Sequence, residues 1–561
     1  MINKIDLFNI DNNLDIYKDK LKNILDNNIK NFSNLISNNK INDKDWYLSL
    51  PFSRNTLISK LYQKFCCILL LKSILNNKNS IQEIKVETNS EKFIIENYIT
   101  DKIFIKVEEK NSILFKIKKK IIIFIYFLNE IIVKLLQVII CKFTKIHAKK
   151  INLDNFILID TYAIPNFYTK DRYFDNILDY NADNEKIFFL PTIAYTKIIN
   201  FYKVFKEFRK SKKNYLLKED YIKFIDIIKS CFFIFRVRKL IIKDFIFDGI
   251  DFSMLISDEI NLLNGDHIAI EGWLNFYFFK RLKNENVKII KLIDWWENQS
   301  TDKGMNMGVK KFFPNTPTLG YLGYVPRHLE LQLLPTKLEC EYNMIPEQIS
   351  VIGKGVVNKI KYLNNELNVI TAPAFRYNYL WEIKKDFNKS FKKILVAFPI
   401  LYEDTIELLN HVKDLIKYNF ENKYEFLFKL HPTMDDNIIK KQISSYLNYN
   451  FFLTKKNIKD LLIEADLVIS SKSIVCLEAL SLGIPTLVFE KPNTINFNPI
   501  PSEIEKILWK VFNNSDELYK HIVYFEKRDN NKIISDIKLA NQIKETYFEK
   551  INQQNVEKFI K

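Results

Sequence analysis

The feature that most constrains the fold is a strand, turn, helix and strand near the carboxyl end of the sequence. The apolar run Asp466–Ile469 predicts a buried strand, and the polar turn Ser470–Ser473 follows it. The spacing of Ile474–Leu480 predicts a helix, which Gly483–Pro485 ends before a second buried strand, Thr486–Phe489. This βαβ unit requires a parallel sheet, and ligands bind such sheets at the carboxyl ends of their strands.

A second apolar run, Phe426–Phe428, also ends in residues that suit an anion. A lysine and a histidine follow this run, and a proline then forbids further strand or helix. Taken singly, a serine before a helix is an ordinary N-cap, and a His-Pro pair simply ends a strand. Taken together and in this order, the two strand ends predict a phosphate site. Its candidate residues are Lys429, His431, Pro432, Ser470, Ser471 and Ser473.

This order of motifs resembles the C-terminal half of GT-B glycosyltransferases, especially bacterial sialyl-, polysialyl- and Kdo-type enzymes of capsule and surface-carbohydrate synthesis. The resemblance implies that His431 contacts the donor phosphate or the departing nucleotide, that Pro432 shapes its loop, and that the three serines contact the phosphate. Glu478 falls where many GT-B enzymes place a carboxylate on the nucleotide ribose, with a solvated helix glutamate as the alternative. Fixed donors at a leaving phosphate stabilise the transition state. A His431 protonated because the phosphate raises its pKa would act without a metal ion.

The middle of the chain has the rhythm of a parallel α/β domain. His267–Ile270 predicts a strand, Trp273–Leu282 a helix, and Val287–Ile293 the next strand. A helix at Lys303–Phe312 and an extended segment at Thr318–Gly323 follow. Similar transferases carry a Glu-Asn-Gln-like element before a helix and a Gly-Tyr strand, so the resemblance covers about residues 250 to 500.

An inverting transferase needs a base that takes the proton of the acceptor hydroxyl. A carboxylate at the carboxyl end of a strand suits this role, which makes Glu297 the first candidate, Asp294 the second and Glu271 the third. The alternative for each is a helix cap or a solvated loop acid. Arg376 is a candidate contact to a donor or acceptor carboxylate, with a surface arginine over aromatic neighbours as its alternative. The sequence departs from the resemblance at Gly323–Pro326, where Gln-His is expected.

A chain of 561 residues with 47% hydrophobic residues is long enough for several buried cores. All ten glycines lie between Gly249 and Gly483, so the ligand-binding loops are expected in that part. The predicted fold is α/β, with two Rossmann-like domains of the GT-B type and a donor cleft between them. The predicted parts are a helical N-terminal region (1–150), an acceptor domain (151–375), a donor domain (376–510) and a helical tail (511–561).

The net charge of +17 is concentrated in two windows, 101–150 and 201–250. The first window contains a strongly apolar stretch, Ile121–Phe143, with lysines on both sides. Four polar residues interrupt the stretch and fall on one face at about 100° per residue. A basic amphipathic helix is therefore expected near 113–150, which either packs on the protein or lies in a membrane surface.

No cofactor and no metal site are predicted. The one Asp-x-Asp triplet, Asp43–Asp45, follows no strand, and neither a Cys-x-x-Cys nor a Gly-x-Gly-x-x-Gly motif occurs. The six cysteines have no regular spacing, and the first residues lack the features of a secretion signal. A cytoplasmic protein is expected, with peripheral contact to the cytoplasmic face of the inner membrane as an open possibility.

The function predicted from the sequence is transfer of a sugar from a nucleotide-sugar donor, with CMP tried first, to a surface glycan or glycolipid acceptor. A GT-B-like sugar-nucleotide epimerase would use the same phosphate groups without an acceptor. A nucleic-acid-binding protein would explain the charge, but basic residues interleaved with exposed aromatic residues are not evident in the sequence. Nucleic acid is therefore not expected as a partner.

Overall fold

The structure is a computed structural model. It describes residues 4–7, 17–38, 41–76, 81–98, 103–108, 113–147, 153–165, 167–169, 172–174, 177–180, 184–387, 390–418, 423–432, 434, 436–444, 450–491 and 494–561.

The N-terminal region combines helices with a small parallel sheet of three strands. Its strands are β1 Lys4–Asp6, β2 Glu83–Val86 and β3 Phe104–Val107. Its helices are α1 Lys18–Asn27, α2 Ile29–Ser37, α3 Lys44–Tyr47, α4 Leu50–Ser53, α5 Leu61–Leu75, α6 Asn89–Tyr98 and α7 Ile113–Phe143. Its core is continuous with residues of the next domain, such as Phe245 and Phe252. A buried ion pair of 2.7 Å between Arg54 and Glu339 also joins the two parts.

The first large sheet lies between residues 156 and 371. The strands of this part are β4 Phe156–Ala163, β5 Ile187–Ile193, β6 Asn214–Tyr215, β7 Ile246–Phe247, β8 Ile250–Asp251, β9 Ile289–Trp295, β10 Thr318–Leu322, β11 Gln348–Val351 and β12 Val369–Thr371. The helices are α8 Phe201–Lys210, α9 Phe224–Cys231, α10 Phe233–Val237, α11 Ser253–Ile260, α12 Asp266–Leu282, α13 Ser300–Phe312, α14 Lys337–Glu341 and α15 Lys354–Ile360. Seven strands form one parallel sheet in the order β12-β11-β10-β9-β4-β5-β6, while β7 and β8 form a separate hairpin.

The second large sheet follows the linker helix α16 Tyr379–Glu382. Its strands are β13 Lys393–Ala397, β14 Glu425–Lys429, β15 Phe451–Leu453, β16 Leu467–Ser470, β17 Thr486–Phe489 and β18 Trp509–Phe512. Its helices are α17 Tyr402–Lys413, α18 Asp436–Ile443, α19 Ile458–Glu464 and α20 Val475–Leu480. These six strands are parallel in the order β15-β14-β13-β16-β17-β18.

Both sheets share one topology. Counted along each domain, the strand order is 3-2-1-4-5-6, which is the Rossmann order, and the first sheet adds a seventh strand beyond the sixth. The order reverses between β4 and β9 in the first sheet and between β13 and β16 in the second. A crevice for ligands opens at such a reversal. Two Rossmann-like domains of this kind make up the GT-B fold, so the fold class expected from the sequence is confirmed.

The C-terminal helices connect the two domains. They are α21 Ser515–Glu526, α22 Asn530–Tyr547 and α23 Gln553–Ile560. The first of them packs on β18 of the second sheet, and the other two return to the first domain. Lys291 of β9 donates to the carbonyl oxygen of Phe559 at 2.9 Å, and the ring of Phe559 packs against Tyr321 of β10. Residues at the end of the chain thereby complete the core of the first domain.

One predicted element is wrong. The expected strand His267–Ile270 is the first part of α12, because a short apolar run fits a buried strand and a buried helix equally well. The helix packs against α13 at Gly272 and Gly304, where a Cβ added to Gly304 would lie 2.0 Å from the carbonyl oxygen of Gly272. Both faces of α12 are therefore covered, which hides the one-sided pattern of an amphipathic helix.

Candidate active site

The carboxyl ends of the two sheets meet at the junction of the two domains, which is where folds of this kind place a ligand cleft. The loop after β10 reaches the turn after β16, where an Nη1 donor of Arg327 lies 3.3 Å from the carbonyl oxygen of Lys472. The backbone N–H of His328 donates to the carbonyl oxygen of Asn498 at 2.9 Å. The polar strand ends of the second domain therefore lie beside a loop of the first domain.

The serine turn after β16 offers its hydroxyl groups unequally. Ser470 is fully buried and donates to the carbonyl oxygen of Ala397 on the neighbouring strand. Ser471 is also buried, and its Oγ has no hydrogen-bond partner among the described residues. Ser473 is half-buried and accepts a long hydrogen bond of 3.4 Å from the N–H of Val475. The hydroxyl groups of Ser471 and Ser473 are thus the ones that can turn to a ligand, while that of Ser470 joins two strands.

The His431 turn follows β14, whose last residue is the half-buried Lys429. The carbonyl oxygen of His431 accepts from the N–H of Met434 at 2.9 Å, and Pro432 is exposed at the tip of this turn. Burial and the positive charges of Arg172, Arg376 and Arg327 lower the pKa of His431 to about 4. The imidazole is therefore neutral at pH 7, which differs from the protonated histidine expected for the phosphate-bound protein.

Three arginines supply the positive charge of this cleft. Arg172 lies in the segment after β4, Arg327 follows β10, and Arg376 lies in the linker before α16. The guanidinium group of Arg376 lies over the rings of Tyr173 and Tyr377, with 5.9 Å and 5.5 Å to the ring centres. Arg376 was a candidate from the sequence. Arg172 and Arg327 were missed, because neither is part of a motif and both reach the cleft only through the topology of the first domain.

Glu478 on α20 of the second domain lies near Arg376 of the linker and Arg172 of the first domain. The hydroxyl of Tyr379 donates to one of its carboxylate oxygens. Burial raises the pKa of Glu478, while Tyr379, Arg376 and Arg172 pull it down. Glu478 is 4% exposed and is therefore a buried partner of the arginine group rather than a solvated helix residue.

Glu297 lies at the edge of the first domain, directly after β9. Its two carboxylate oxygens accept from Nε1 of Trp295 at 2.9 Å and from Nε2 of Gln299 at 2.6 Å, and these bonds orient the group. Burial raises its pKa, as does the nearby Glu330, while Arg327 lowers it. The charge of Arg327 lowers the pKa of both Glu297 and His431, so all three residues belong to one region of the protein.

Asp294 is fully buried below this edge and does not reach the cleft. Its Oδ2 accepts from the side-chain amide of Asn306 at 2.9 Å. Burial, together with the carboxyl groups of Asp302 and Asp160, raises the pKa of Asp294 well above its usual range. A carboxyl group without exposed atoms is not placed to take a proton from an acceptor, so the structure argues against the second candidate base.

Glu271 does not lie at a strand end either. It is in the middle of α12, where Lys134 of α7 lies 2.6 Å from its Oε2 and Lys218 contacts its Oε1. Burial would raise the pKa of Glu271, but these two lysines hold it well below the usual range. A carboxylate neutralised by two lysines is a weak base, so the third candidate belongs to a structural ion-pair cluster.

Within the described ranges, no group of three or more histidine, cysteine or acidic side chains is arranged to hold a metal ion. The groups that could hold an anion are those around His431, and these are arginines, a neutral imidazole and hydroxyls.

No family model and no curated protein matches this sequence. Solved structures with a similar fold include S. aureus MnaA with UDP, at 12% identity over 72% of this chain and 95% of that one, with a TM-score of 0.40. A glycosyltransferase from Rickettsia africae matches at 12% identity over 72% and 97%, with a TM-score of 0.40. A UDP-GlcNAc 2-epimerase from Neisseria meningitidis bound to UDP-GlcNAc matches at 14% over 69% and 98%, with a TM-score of 0.38. The fold of this chain is shown by the order of the strands in its own two large sheets.

Proposed function

We propose that this protein is a glycosyltransferase that transfers a sugar from a nucleotide-sugar donor to a glycan acceptor. The observation that carries the proposal is the convergence on His431 of three arginines, two from the first domain and one from the linker. Such a cluster suits the phosphate of a nucleotide, since guanidinium groups bind phosphate oxygens in a bidentate manner.

In the proposed reaction the arginines stabilise the leaving phosphate. Negative charge develops on that phosphate as the glycosidic bond breaks, and fixed cations in a water-poor cleft lower the energy of this state. The neutral His431 donates one N–H to the same group. The hydroxyl of Ser471, which has no partner in the described part of the chain, gains a hydrogen bond to the phosphate, and this bond removes the cost of a buried unpaired hydroxyl.

Glu297 is proposed as the base that takes the proton of the acceptor hydroxyl. Each carboxylate oxygen keeps a free lone pair beyond its bond to Trp295 or Gln299. Its raised pKa makes it a stronger base than a solvated glutamate, which favours proton transfer near neutral pH. The carboxylate of Glu478 is proposed to bind the nucleotide ribose. The arginine and tyrosine side chains around Glu478 hold this carboxylate in place.

The first test is a thermal-shift panel of CMP, UDP, GDP and dTDP, with CMP expected to give the largest shift. A nucleotide at 100 times its dissociation constant should stabilise the protein by about 2.7 kcal/mol. His431→Ala should reduce the shift, and His411→Ala, which removes a half-buried histidine of α17 on the same domain, is the matched control and should leave it unchanged. The absence of a shift with every nucleotide would refute the donor site.

The second test follows the sugar. Incubation with a labelled sugar nucleotide and a glycan extract should move the label into the glycan and release the nucleotide. A labelled product that remains nucleotide-linked but has an inverted sugar centre would instead identify a sugar-nucleotide epimerase, which would use the same phosphate groups.

A further inference from the structure

The helix α7 turns several of its interrupting polar residues toward the protein and leaves a second, outer apolar face exposed. Large apolar residues on the outer face are between 42% exposed for Leu128 and 74% for Phe143. At about 100° per residue, they fall in one stripe along the helix. The stripe includes Ile121, Phe124, Ile125, Leu128, Ile132 and Phe143.

The inner face of the same helix holds most of its interrupting polar residues. Lys134 forms the buried ion pair with Glu271, and Gln137 is also buried. Glu130 is half-buried, where burial raises its pKa while Lys134 and Tyr126 lower it. A soluble helix normally packs the opposite way, with its apolar side on the core. The outer stripe is therefore apolar surface that the protein itself leaves uncovered.

Neighbouring helices extend this apolar surface. The exposed ring of Phe232, between α9 and α10, lies 5.1 Å from the ring of Phe127 on α7. Phe224 and Ile225 at the start of α9 are also exposed, and α9 packs against α7. Exposed apolar area of this extent on a single face marks an interaction surface.

Exposed lysines border the stripe at both ends. Residues 113–147 contain seven lysines and a single acidic residue. Lys118 and Lys120 are exposed near the N-terminal end, and Lys142 and Lys145 are exposed near the other. These long side chains can place their charges in a headgroup layer while the apolar stripe lies deeper.

We propose that the outer face of α7, with the start of α9 and Phe232, binds the surface of an anionic lipid bilayer, with the helix lying parallel to that surface. A face that is apolar along its centre and cationic at both ends matches an interfacial helix. A second copy of this chain fits less well, because it would bring two lysine-rich faces together. This inference does not depend on the proposed function.

The segment Ile117–His147 is long and apolar enough by composition to cross a membrane. In this fold the inner face of α7 excludes a helix that crosses the membrane. Ile123, Tyr126, Ile131 and Leu135 pack on the core of the first domain, so a spanning helix would pull that domain into the hydrocarbon layer. The helix therefore lies on the bilayer and does not span it.

The test is flotation of the full chain with phosphatidylcholine vesicles, prepared with and without phosphatidylglycerol. We expect flotation that increases strongly when phosphatidylglycerol is present. The variant Ile121→Ser/Ile125→Ser/Ile132→Ser should bind about a hundredfold less, since three large side chains no longer leave water. The matched control is Ile463→Ser/Ile507→Ser/Ile534→Ser, which changes three isoleucines of comparable exposure on the second domain and the tail and should float like the unchanged protein.

A lysine variant and a fluorescence probe complete the test. Lys118→Gln/Lys119→Gln/Lys120→Gln should lose the gain from phosphatidylglycerol, by about fivefold for each charge. Phe124→Trp should shift its emission to the blue with vesicles, whereas Tyr524→Trp on α21 should not. The proposal is overturned if the protein does not float, if the stripe variant floats unchanged, or if the stripe mediates a dimer in solution that does not float. Matching circular dichroism spectra for all variants would establish that they are folded.

Discussion

The two sheets have the same strand order, but the ends of their central strands differ in chemistry. In the first sheet, Asp160 on β4 and Asp294 on β9 lie side by side at the reversal of the strand order. Both are buried, and burial together with neighbouring carboxyl groups raises their pKa well above the usual range. In the second sheet, the serine turn follows β16, and His431 follows β14 on the other side of β13, where the charges of three arginines act on it.

The difference shows that one topology can carry buried acids near its strand ends in one domain and hydroxyl groups and a histidine in the other. The acids near these strand ends in the first domain, including Asp302 of α13, are buried. Asp302 accepts from the backbone N–H groups of Glu297 and Gln299 at 2.9 Å and 3.0 Å, which fixes the loop that carries the proposed base. Burial raises the pKa of Asp302 to about 7 despite these bonds. The strand ends of the second sheet instead carry the hydroxyl groups of Ser471 and Ser473, and the arginines near His431 come from the first domain and the linker.

The largest expected effect is on the rate of transfer, and it would come from a substitution of Glu297 at the cleft rather than of Asp294, which is buried below it. Glu297→Gln should lower the rate of transfer by roughly a hundredfold to ten-thousandfold, the usual contribution of a general base. Nucleotide binding should persist, because the donor groups are unchanged. Asp294→Asn is the control, since the amide has the same shape and its oxygen can still accept the hydrogen bond from Asn306, and transfer should be nearly unaffected. Turnover measured with each variant decides between them, and equal losses would contradict the comparison.

The next effect concerns the pH dependence of stability. The pKa of His431 is about 4 in the folded protein, against 6.5 for a free histidine. Between these values the unfolded chain binds more protons, so the free energy of unfolding falls as the pH decreases, by about 3 kcal/mol at most. His431→Gln should remove this part of the loss, as measured by urea unfolding between about pH 7 and pH 4.

The same histidine also reports on ligand binding. Bound CMP should raise the pKa of His431, because a phosphate offsets the arginine charges. An NMR titration of the imidazole with and without CMP measures this shift. An unchanged pKa at saturating CMP would place the phosphate away from His431.

A smaller effect is expected from the arginine that joins the domains. Arg327→Gln should weaken nucleotide binding by roughly tenfold to a hundredfold, the value of a charge-assisted hydrogen bond. The salt dependence of binding should also decrease. Arg327→Lys should restore part of the affinity, because the charge returns without the planar fork. Calorimetric titration with the three proteins checks this order.

The smallest effect separates two neighbouring serines. Ser470→Ala should destabilise the protein by about 1 kcal/mol, because the hydroxyl bonds the carbonyl oxygen of Ala397. Ser471→Ala should leave stability unchanged or increase it, since its buried hydroxyl has no partner within the described ranges. The proposal requires that Ser471→Ala weakens nucleotide binding more than Ser470→Ala does. Thermal unfolding and binding measured in parallel would reveal a reversed order.

Much of the fold could be predicted from the sequence. The runs at 287–293 and 318–323 and the helix at 303–312 correspond to β9, β10 and α13, because long apolar strands bounded by polar turns have few alternatives. The element that failed, His267–Ile270, is a short run in a helix covered on both faces. Whether the site residues act as proposed stays a prediction that the variants above test.

The sequence by itself determined the parallel sheets and the two polar strand ends, because strand period, turn chemistry and the βαβ connection are local properties. The tertiary structure alone decided which groups meet. Arg172 and Arg327 reach His431 from more than a hundred residues away in the chain, and Lys134 finds Glu271 across 137 residues. The pairing with Glu271 also determines which face of α7 is buried, because an unpaired charge inside the protein would cost more free energy than an exposed apolar stripe.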